Sequence, residues 1–476
     1  MFSFYDIPCL TILAICGALV YLTRITRDIV ARNHNEPPPL SYWIPYLGNA
    51  MAFARNYSEI YNLISKRNLG RAGSLTLMGQ RVYVFTSAKD VSSVYRDSSL
   101  RFEPLVLWGL RVVFGLSKES EKILLDESNG PESGPLFQYS PFFHNALSEG
   151  PNTNDFALVF LERLASQFIQ FDKRLACQPK GIDSDLLEWA RRFIGTASTQ
   201  ALMGDHIFQC EPDLLKYSWQ FERDLPTLQA ALPYFLARAQ YANREKIVNA
   251  FMKFHQSSKA DKKSTFWWLD ATENLAASGG MSPRDVGVLI FGIWIAVSSN
   301  TNLTAFWLLL HIISTPGLAN AIRTETGEIF ANSDVLDTDA LVTCPLLRSV
   351  HNETLRHYST AASRRLATED TIIGNYTVRQ GGVIVCPNRL QHMDAQIWGA
   401  DVDAFIPDRF KRKASENIYR GEEGWLRPFG GGKSLCPGRH YANKSILAFV
   451  ASCLHRYNFT LVKGESLPAP NLSMSD

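Results

Sequence analysis

The sequence predicts a mainly α-helical chain with small β-sheets, carried behind an N-terminal transmembrane anchor. Three observations lead there. A helical pattern of about 31 residues runs without a break from Pro283 to about Ile313. Two short alternating stretches, residues 74–85 and 365–387, are interrupted by glycine-containing turns. The 17 residues from Ile7 to Thr23 carry no charge.

The apolar run comes first. Seventeen residues are at the short end for a bilayer-spanning helix. Asp6 is the only charge before it, whereas Arg24, Arg27 and Arg32 come after it. This bias puts the N-terminus in the lumen and the bulk of the chain in the cytosol. A cleaved signal peptide would want Lys or Arg ahead of the apolar run, and there is none. Pro37-Pro38-Pro39 then forms a stiff extended spacer. The reading is an anchor and basic flank over 1–36 and one large domain over 37–476, with no further linker. A chain of 476 residues that is 46% hydrophobic can bury a large core. A net charge of +2 gives no reason to expect a nucleic-acid partner. Eight cysteines are scattered without a C-x-x-C pair, which suits a reducing compartment.

Within the domain, residues 74–85 read as two strands around Gly79-Gln80, and Ser87–Arg96 as an amphipathic helix. Ser282 caps the long helix, Pro283 takes its first position and Asp285 completes an S-x-x-D start. Thr315-Pro316-Gly317 stops it. The helix is apolar nearly all round from Val286 to Val297, which implies burial. Ser298-Ser299-Asn300-Thr301-Asn302 interrupts it. Polar groups inside a buried helix are costly unless partnered. They mark a water-containing pocket and argue against a membrane span. The 365–387 stretch alternates like strands, with turns at Gly374-Asn375 and Gly381-Gly382.

The most specific signal is Phe429-Gly430-Gly431-Gly432-Lys433-Ser434-Leu435-Cys436-Pro437-Gly438-Arg439-His440-Tyr441-Ala442, an F-x-x-G-x-x-x-C-x-G-x-x-x-A pattern. Its F-x-x-G-x-x-x-C-x-G core is expected by chance about 0.002 times in a chain of this length and composition. Gly432 and Gly438 let the backbone turn tightly, and Pro437 suits the first turn of a helix after it. The motif resembles the haem-thiolate loop of the cytochrome P-450 family. The resemblance implies that fold and haem b, with Cys436 as axial ligand, Phe429 shielding the sulfur and Ala442 against the haem. Ser434 stands where the family usually carries Arg or His, as in the sterol 7α-hydroxylase and prostacyclin synthase branch; Lys433 is expected to point elsewhere.

Glu353-Thr354-Leu355-Arg356 places an acid and a base on one helical face. Alone it means nothing, since Glu188-Trp189-Ala190-Arg191 fits too and reads as an ordinary surface pair. Position 83 and 80 residues before Cys436 gives Glu353 and Arg356 weight, as does Pro407-Asp408-Arg409-Phe410. The resemblance implies that Glu353, Arg356 and Arg409 form a buried ionic triad bracing the haem loop. It also implies that Arg365, in preference to Arg364, binds a haem propionate. His144 is either a second propionate partner or a structural histidine. His392 and Trp398 read as structural. The family's acid–threonine pair aligns with Asn300-Thr301. Thr301 keeps a hydroxyl that can help protonate dioxygen, whereas Asn300 cannot ionise and could only position water. The alternative is that both cap a kink.

The resemblance implies a haem monooxygenase of the endoplasmic reticulum membrane. It would oxidise a small apolar substrate (terpenoid, steroid or polyketide) with dioxygen and electrons from an NADPH-dependent flavoprotein reductase. The pocket is expected between Phe102–Leu116, Ile293–Val297 and the loop after Arg356. The motif style is fungal, which suggests secondary-metabolite biosynthesis. One rival is a haem-thiolate isomerase or dehydratase that needs no NADPH. A second is an inactive haem protein short at its C-terminus, since the family usually adds a closing strand pair after Leu472.

Overall fold

The computed structural model describes residues 17–19, 21–22, 35–44, 46–67, 71–126, 128, 133–331, 336–412, 425–462 and 467–468. The expected anchor lies almost wholly outside them; its described residues, 17–19 and 21–22, are helical and exposed. Residues 469–476, on which the reading of a chain short at its C-terminus bears, lie outside them as well.

The central helix runs from Pro283 to Ser314. Its start is the expected one: the Asp285 amide donates to Ser282 Oγ at 3.2 Å, and Ser282 Oγ donates back to Asp285 Oδ2 at 2.8 Å. Among the described residues it is the one helix long and apolar enough to cross a membrane. It is instead the axis of the core. Helices Leu186–Met203, Arg238–Gln256 and Arg439–Arg456 pack around it. Trp294 is fully buried on it, its indole N–H donating to Thr199 Oγ1 at 2.9 Å. An apolar face on every side forces this central placement, because no orientation of the helix could leave one side in water at low cost.

Among the described residues seven strands form two sheets: β1 (Ala72–Leu77), β2 (Gln80–Phe85), β3 (Leu100–Arg101), β4 (Ala362–Ala367), β5 (Thr371–Ile373), β6 (Tyr376–Val378) and β7 (Val383–Pro387). β1 and β2 form a hairpin in which Leu77 faces Gln80. Its two turn residues, Met78 and Gly79, both have positive φ, as a tight two-residue turn demands. The larger sheet has the order β1-β2-β7-β4-β3. Parallel pairing of β2 with β7 brings residues near 83 beside those near 384. β4 lies antiparallel to β7, with Arg365 opposite Ile384. The sheet thereby carries Arg365 to the wall of a large internal cavity.

Between β3 and the next helices the chain makes a helix, Glu103–Gly109, and a π-helical turn, Leu110–Phe114, closed by Gly115 at φ 86°. Asp285 does more than cap its own helix. Its carboxylate accepts from Ser117 N (3.0 Å), Ser117 Oγ (2.7 Å) and Ser120 Oγ (2.8 Å), tying this segment to the central helix. Those hydroxyls and the amide hold the Asp285 pKa below the usual carboxylate range against the opposing effect of burial.

Candidate active site

A cavity of about 930 Å³ lies against the central helix. Cys436, Phe429 and Ala442 border it on one side. Phe102, Val106 and Phe114 come from the 102–116 segment, Ile293 and Val297 from the central helix, and Tyr358 to Arg365 from the segment after Arg356. All three expected walls are therefore present.

The cysteine loop is closed by its own backbone: the Cys436 amide donates to Phe429 O at 3.0 Å. Burial pushes the Cys436 thiol up, while the Gly438 and Arg439 amides and the Arg439 guanidinium act in the opposite sense. The helix begins at Arg439 with Gly438 as its N-cap, so Pro437 precedes the cap and is not in the first helical turn. The glycines differ in their reasons. Gly432 has φ +66°, and a Cβ there would sit 2.3 Å from the Tyr95 carbonyl oxygen. The crowding comes from Tyr95, a residue that no sequence motif singles out. Gly438 has φ −77°, and a Cβ on it would lie 4.0 Å from Cys436 Sγ, an ordinary contact distance. Ser434 borders the cavity; Lys433, expected to point elsewhere, borders it as well.

Glu353, Arg356 and Arg409 converge. Glu353 and Arg356 are fully buried and Arg409 nearly so. Arg356 donates twice to Glu353, Nε to Oε2 and Nη2 to Oε1, both at 2.8 Å. Arg409 Nε donates to Oε1 at 3.1 Å, and the Ile406 amide to the same oxygen at 2.9 Å. Arg356 Nη1 also reaches the carbonyls of His392 and Val402, each at 2.9 Å. Trp398 covers the Arg356 guanidinium, 5.4 Å from its ring centre. His392 is buried, and its Nε2 accepts the Arg427 amide at 2.9 Å. Burial, helped by the charges of Arg389, Arg356 and Arg427, lowers its pKa to about 3. The second E-x-x-R is not a pair: Arg191 bonds Glu222 at 2.8 Å, and Glu188 bonds Arg192.

Arg365 is buried, whereas Arg364 is partly exposed, and both border the cavity. Arg365 donates to two carbonyl oxygens, of Arg364 (2.7 Å) and Gly431 (3.0 Å), and lies over the rings of Tyr95 and Phe102. Arg427 shares the Tyr95 ring with it, 5.0 Å from the ring centre. Burial lowers the pKa of both guanidiniums. His144, on helix Pro135–Leu147, is partly buried and borders the cavity. A thiol at one wall, a buried cation on the lining and mainly apolar walls fit a large flat ring that carries an acidic edge and a metal.

The polar run of the central helix is divided among different surroundings. Asn300 and Thr301 border the cavity. Ser298 Oγ donates to Trp294 O, and Ser299 Oγ to Glu222. The helix continues through the run, and the Thr301 hydroxyl donates back to Ser298 O at 2.9 Å.

Comparison with known proteins agrees with this geometry. The family model for cytochrome P450 matches residues 37–474. The chain is 26% identical over 449 residues to the cytochrome P450 monooxygenase poxD of Penicillium oxalicum, covering 90% of this chain and 89% of that one. It is 26% identical over 478 residues to the monooxygenase nodJ of Hypoxylon pulicicidum, covering 96% and 90%. It is 26% identical over 483 residues to cholesterol 7-alpha-monooxygenase of Cricetulus griseus, covering 93% and 90%. Among solved structures, the retinoic acid-bound cyanobacterial CYP120A1 superposes with a TM-score of 0.71 at 17% identity, over 93% of this chain and 98% of that one. The match runs nearly the whole length of the chain and includes the cysteine loop; this protein is a haem-thiolate oxidoreductase of the cytochrome P450 family.

Proposed function

We propose that this monooxygenase oxidises a small apolar substrate, a terpenoid, steroid or polyketide, with electrons from an NADPH-dependent flavoprotein reductase, in fungal secondary metabolism. The observation that carries the reading is that Cys436 lines a largely apolar cavity that the central helix lines as well. Such a cavity suits an apolar ligand with few polar handles. A relative named for acting on cholesterol and fungal relatives named as monooxygenases support the substrate class and the setting. The uncharged run Ile7–Thr23 with its arginine flank supports a single-pass anchor in the endoplasmic reticulum membrane.

In this reading Cys436 is the thiolate ligand, shielded by Phe429, with Gly432 and Gly438 shaping its loop and Ala442 against the ring. Arg365, with His144, holds the propionates, and Glu353, Arg356 and Arg409 brace the loop from behind. Bound haem supplies the oxygen-activating redox chemistry. The chain's residues do the rest. Burial holds the Cys436 thiol up, and the Gly438 and Arg439 amides oppose that push. The apolar walls exclude water and orient the substrate. Asn300 and Thr301, which border the same cavity, would position water and protons there.

The test is the carbon monoxide difference spectrum of the reduced full-length protein. The native chain is expected to show the Soret band of thiolate ligation, and C436S to lose it. A native band at the position of neutral-thiol or histidine ligation would overturn the reading. Product formation that needs NADPH and reductase would separate a monooxygenase from an isomerase or dehydratase.

A further inference from the structure

Glycine inside a helix weakens it relative to alanine, so a helical glycine calls for a local reason. Gly287 on the central helix has one. A Cβ there would lie 2.8 Å from the Met252 amide nitrogen and 3.1 Å from the Val248 carbonyl oxygen, so the glycine lets helix Arg238–Gln256 pack close. Gly292, further along the same helix, has no such reason. Among the described residues a Cβ on it would meet Leu110 Cδ2 alone, at 3.5 Å, an ordinary van der Waals contact. Gly109 ends helix Glu103–Gly109 with helical torsions, φ −60° and ψ −49°, and a Cβ on it would meet nothing within 4 Å. Neither glycine adopts a positive φ, and both border the cavity. Leu110, next to Gly109 in the chain, is the residue that approaches Gly292, so the two glycines sit at one level on walls from different elements. Their neighbours on the lining are Val106, Leu110, Leu289 and Ile293, with no hydrogen-bonding side chain among them. Asn300 lies eight residues further along the helix, about 12 Å at 1.5 Å per residue.

We propose that Gly109 and Gly292 set the width of the substrate: they keep this end of the cavity broad enough for a fused-ring or branched hydrocarbon portion, which a larger residue at either position would exclude. This deepens the proposed function and rests on its haem-thiolate reading. A side chain at either glycine would displace no protein atom, so the space it would occupy is the ligand's. Two walls that both lack a Cβ at one level widen the cavity across its section. An unbranched chain has no use for that width, whereas a ring system does. A polar group placed there would give up its hydrogen bonds to water without replacement from these side chains, so this portion of the ligand is hydrocarbon.

The test titrates the full-length holoprotein with three imidazole probes and reads their affinities from the shift of the Soret band. The probes are 1-phenylimidazole, an imidazole carrying a linear alkyl chain, and one whose same chain ends in adamantane. G292A, G292V and G109V are compared with native protein and with G327A, a change on helix Leu318–Ala331 away from the cavity lining. In G292V and G109V the adamantane probe is expected to bind at least about tenfold more weakly, the effect of a misplaced methylene in an apolar pocket, and the other two to stay within about twofold of native. G327A should leave all three affinities unchanged, and G292A should melt no lower than native protein, since alanine favours the helix. Equal losses for the linear and adamantane probes, no loss in either valine variant, or failure of the native protein to bind the adamantane probe overturns the proposal. So does a lower melting temperature of G292A, which would make packing the reason for the glycine. Every sample is checked first for the carbon monoxide Soret band of thiolate ligation. Its absence from the native protein would remove the haem-thiolate reading and the proposal together, whereas its presence without a selective loss removes the proposal alone. If a valine variant lacks the band, the other and G292A, expected to weaken the adamantane probe in the same sense, decide.

Discussion

Replacing Glu353 with glutamine removes one negative charge from a site where it holds four donors. Two come from Arg356, one from Arg409 and one from the Ile406 amide, at 2.8 to 3.1 Å. Glu353 is fully buried, so water cannot take its place. The new amide NH2 would face donors, and two guanidiniums would lose their shared anion. Breaking a buried ion pair in this way costs about 3–5 kcal/mol. Arg409→Met should cost less, about 1.5–3 kcal/mol for a charged hydrogen bond. Of the carbonyls that Arg409 also serves, Asp401 O keeps the Ala404 amide, Ala404 O keeps Arg356, and Trp398 O loses a long 3.4 Å bond. Glu353 would keep three of its four donors, and Asp401, whose side chain is 54% exposed, would return to water. With an m value of about 3 kcal/mol/M in urea, E353Q moves the unfolding midpoint of the holoprotein down by about 1 M and R409M by about half as much or a little more. The assay is urea unfolding monitored by tryptophan fluorescence, with the Soret band recorded at every point to separate loss of bracing from loss of haem. An E353Q midpoint within about 0.3 M of the native one (about 1 kcal/mol on the same scale), or an R409M loss equal to that of E353Q, would refute the argument.

The cysteine loop and its surroundings fix two further outcomes. Gly432→Ala places a Cβ 2.3 Å from the Tyr95 carbonyl at a positive φ, so it should lower soluble yield and haem content sharply, whereas Gly438→Ala, at φ −77° with 4.0 Å to Cys436 Sγ, should fold and alter mainly the Soret spectrum; equal haem contents in the two would contradict this. His392, with its folded pKa lowered to about 3, binds its proton in the unfolded chain first, so its contribution to stability is complete above about pH 6.5 and is lost progressively as pH falls toward 3. H392Q should flatten the fall in urea midpoint between about pH 6.5 and 4, and an unchanged slope would count against it.

Much of the fold was legible in the chain. The central helix carries its own cap at Ser282 and its own stop at Thr315-Pro316-Gly317, and its uniform apolarity announces burial. The β1–β2 hairpin is written in alternation around Gly79. These features are local, and local sequence encodes them through backbone torsions and periodicity. The cysteine loop was legible for a different reason, since a motif of fixed spacing specifies a turn before any partner is known. The acid and bases of the triad were legible only by position, because an E-x-x-R of equal appearance at Glu188 and Arg191 sends its two ends to other residues.

By itself, then, the sequence determined the cysteine loop, the long buried helix and the polar break within it. The tertiary structure alone decided which neighbour makes each local feature matter. Parallel pairing of β2 with β7 brings together segments about 300 residues apart and sets Arg365 on the cavity wall, and no local pattern contains that pairing. Tyr95 makes Gly432 indispensable from more than 300 residues away. Asp285 looked like a cap and is also the anchor of the 117–120 segment. Asn300 and Thr301 are adjacent in sequence and both border the cavity, yet Asn300 is exposed there while Thr301 is buried with its hydroxyl bonded to its own helix. Rotation about the helix axis separates them, and the packing of the neighbouring helices sets that rotation.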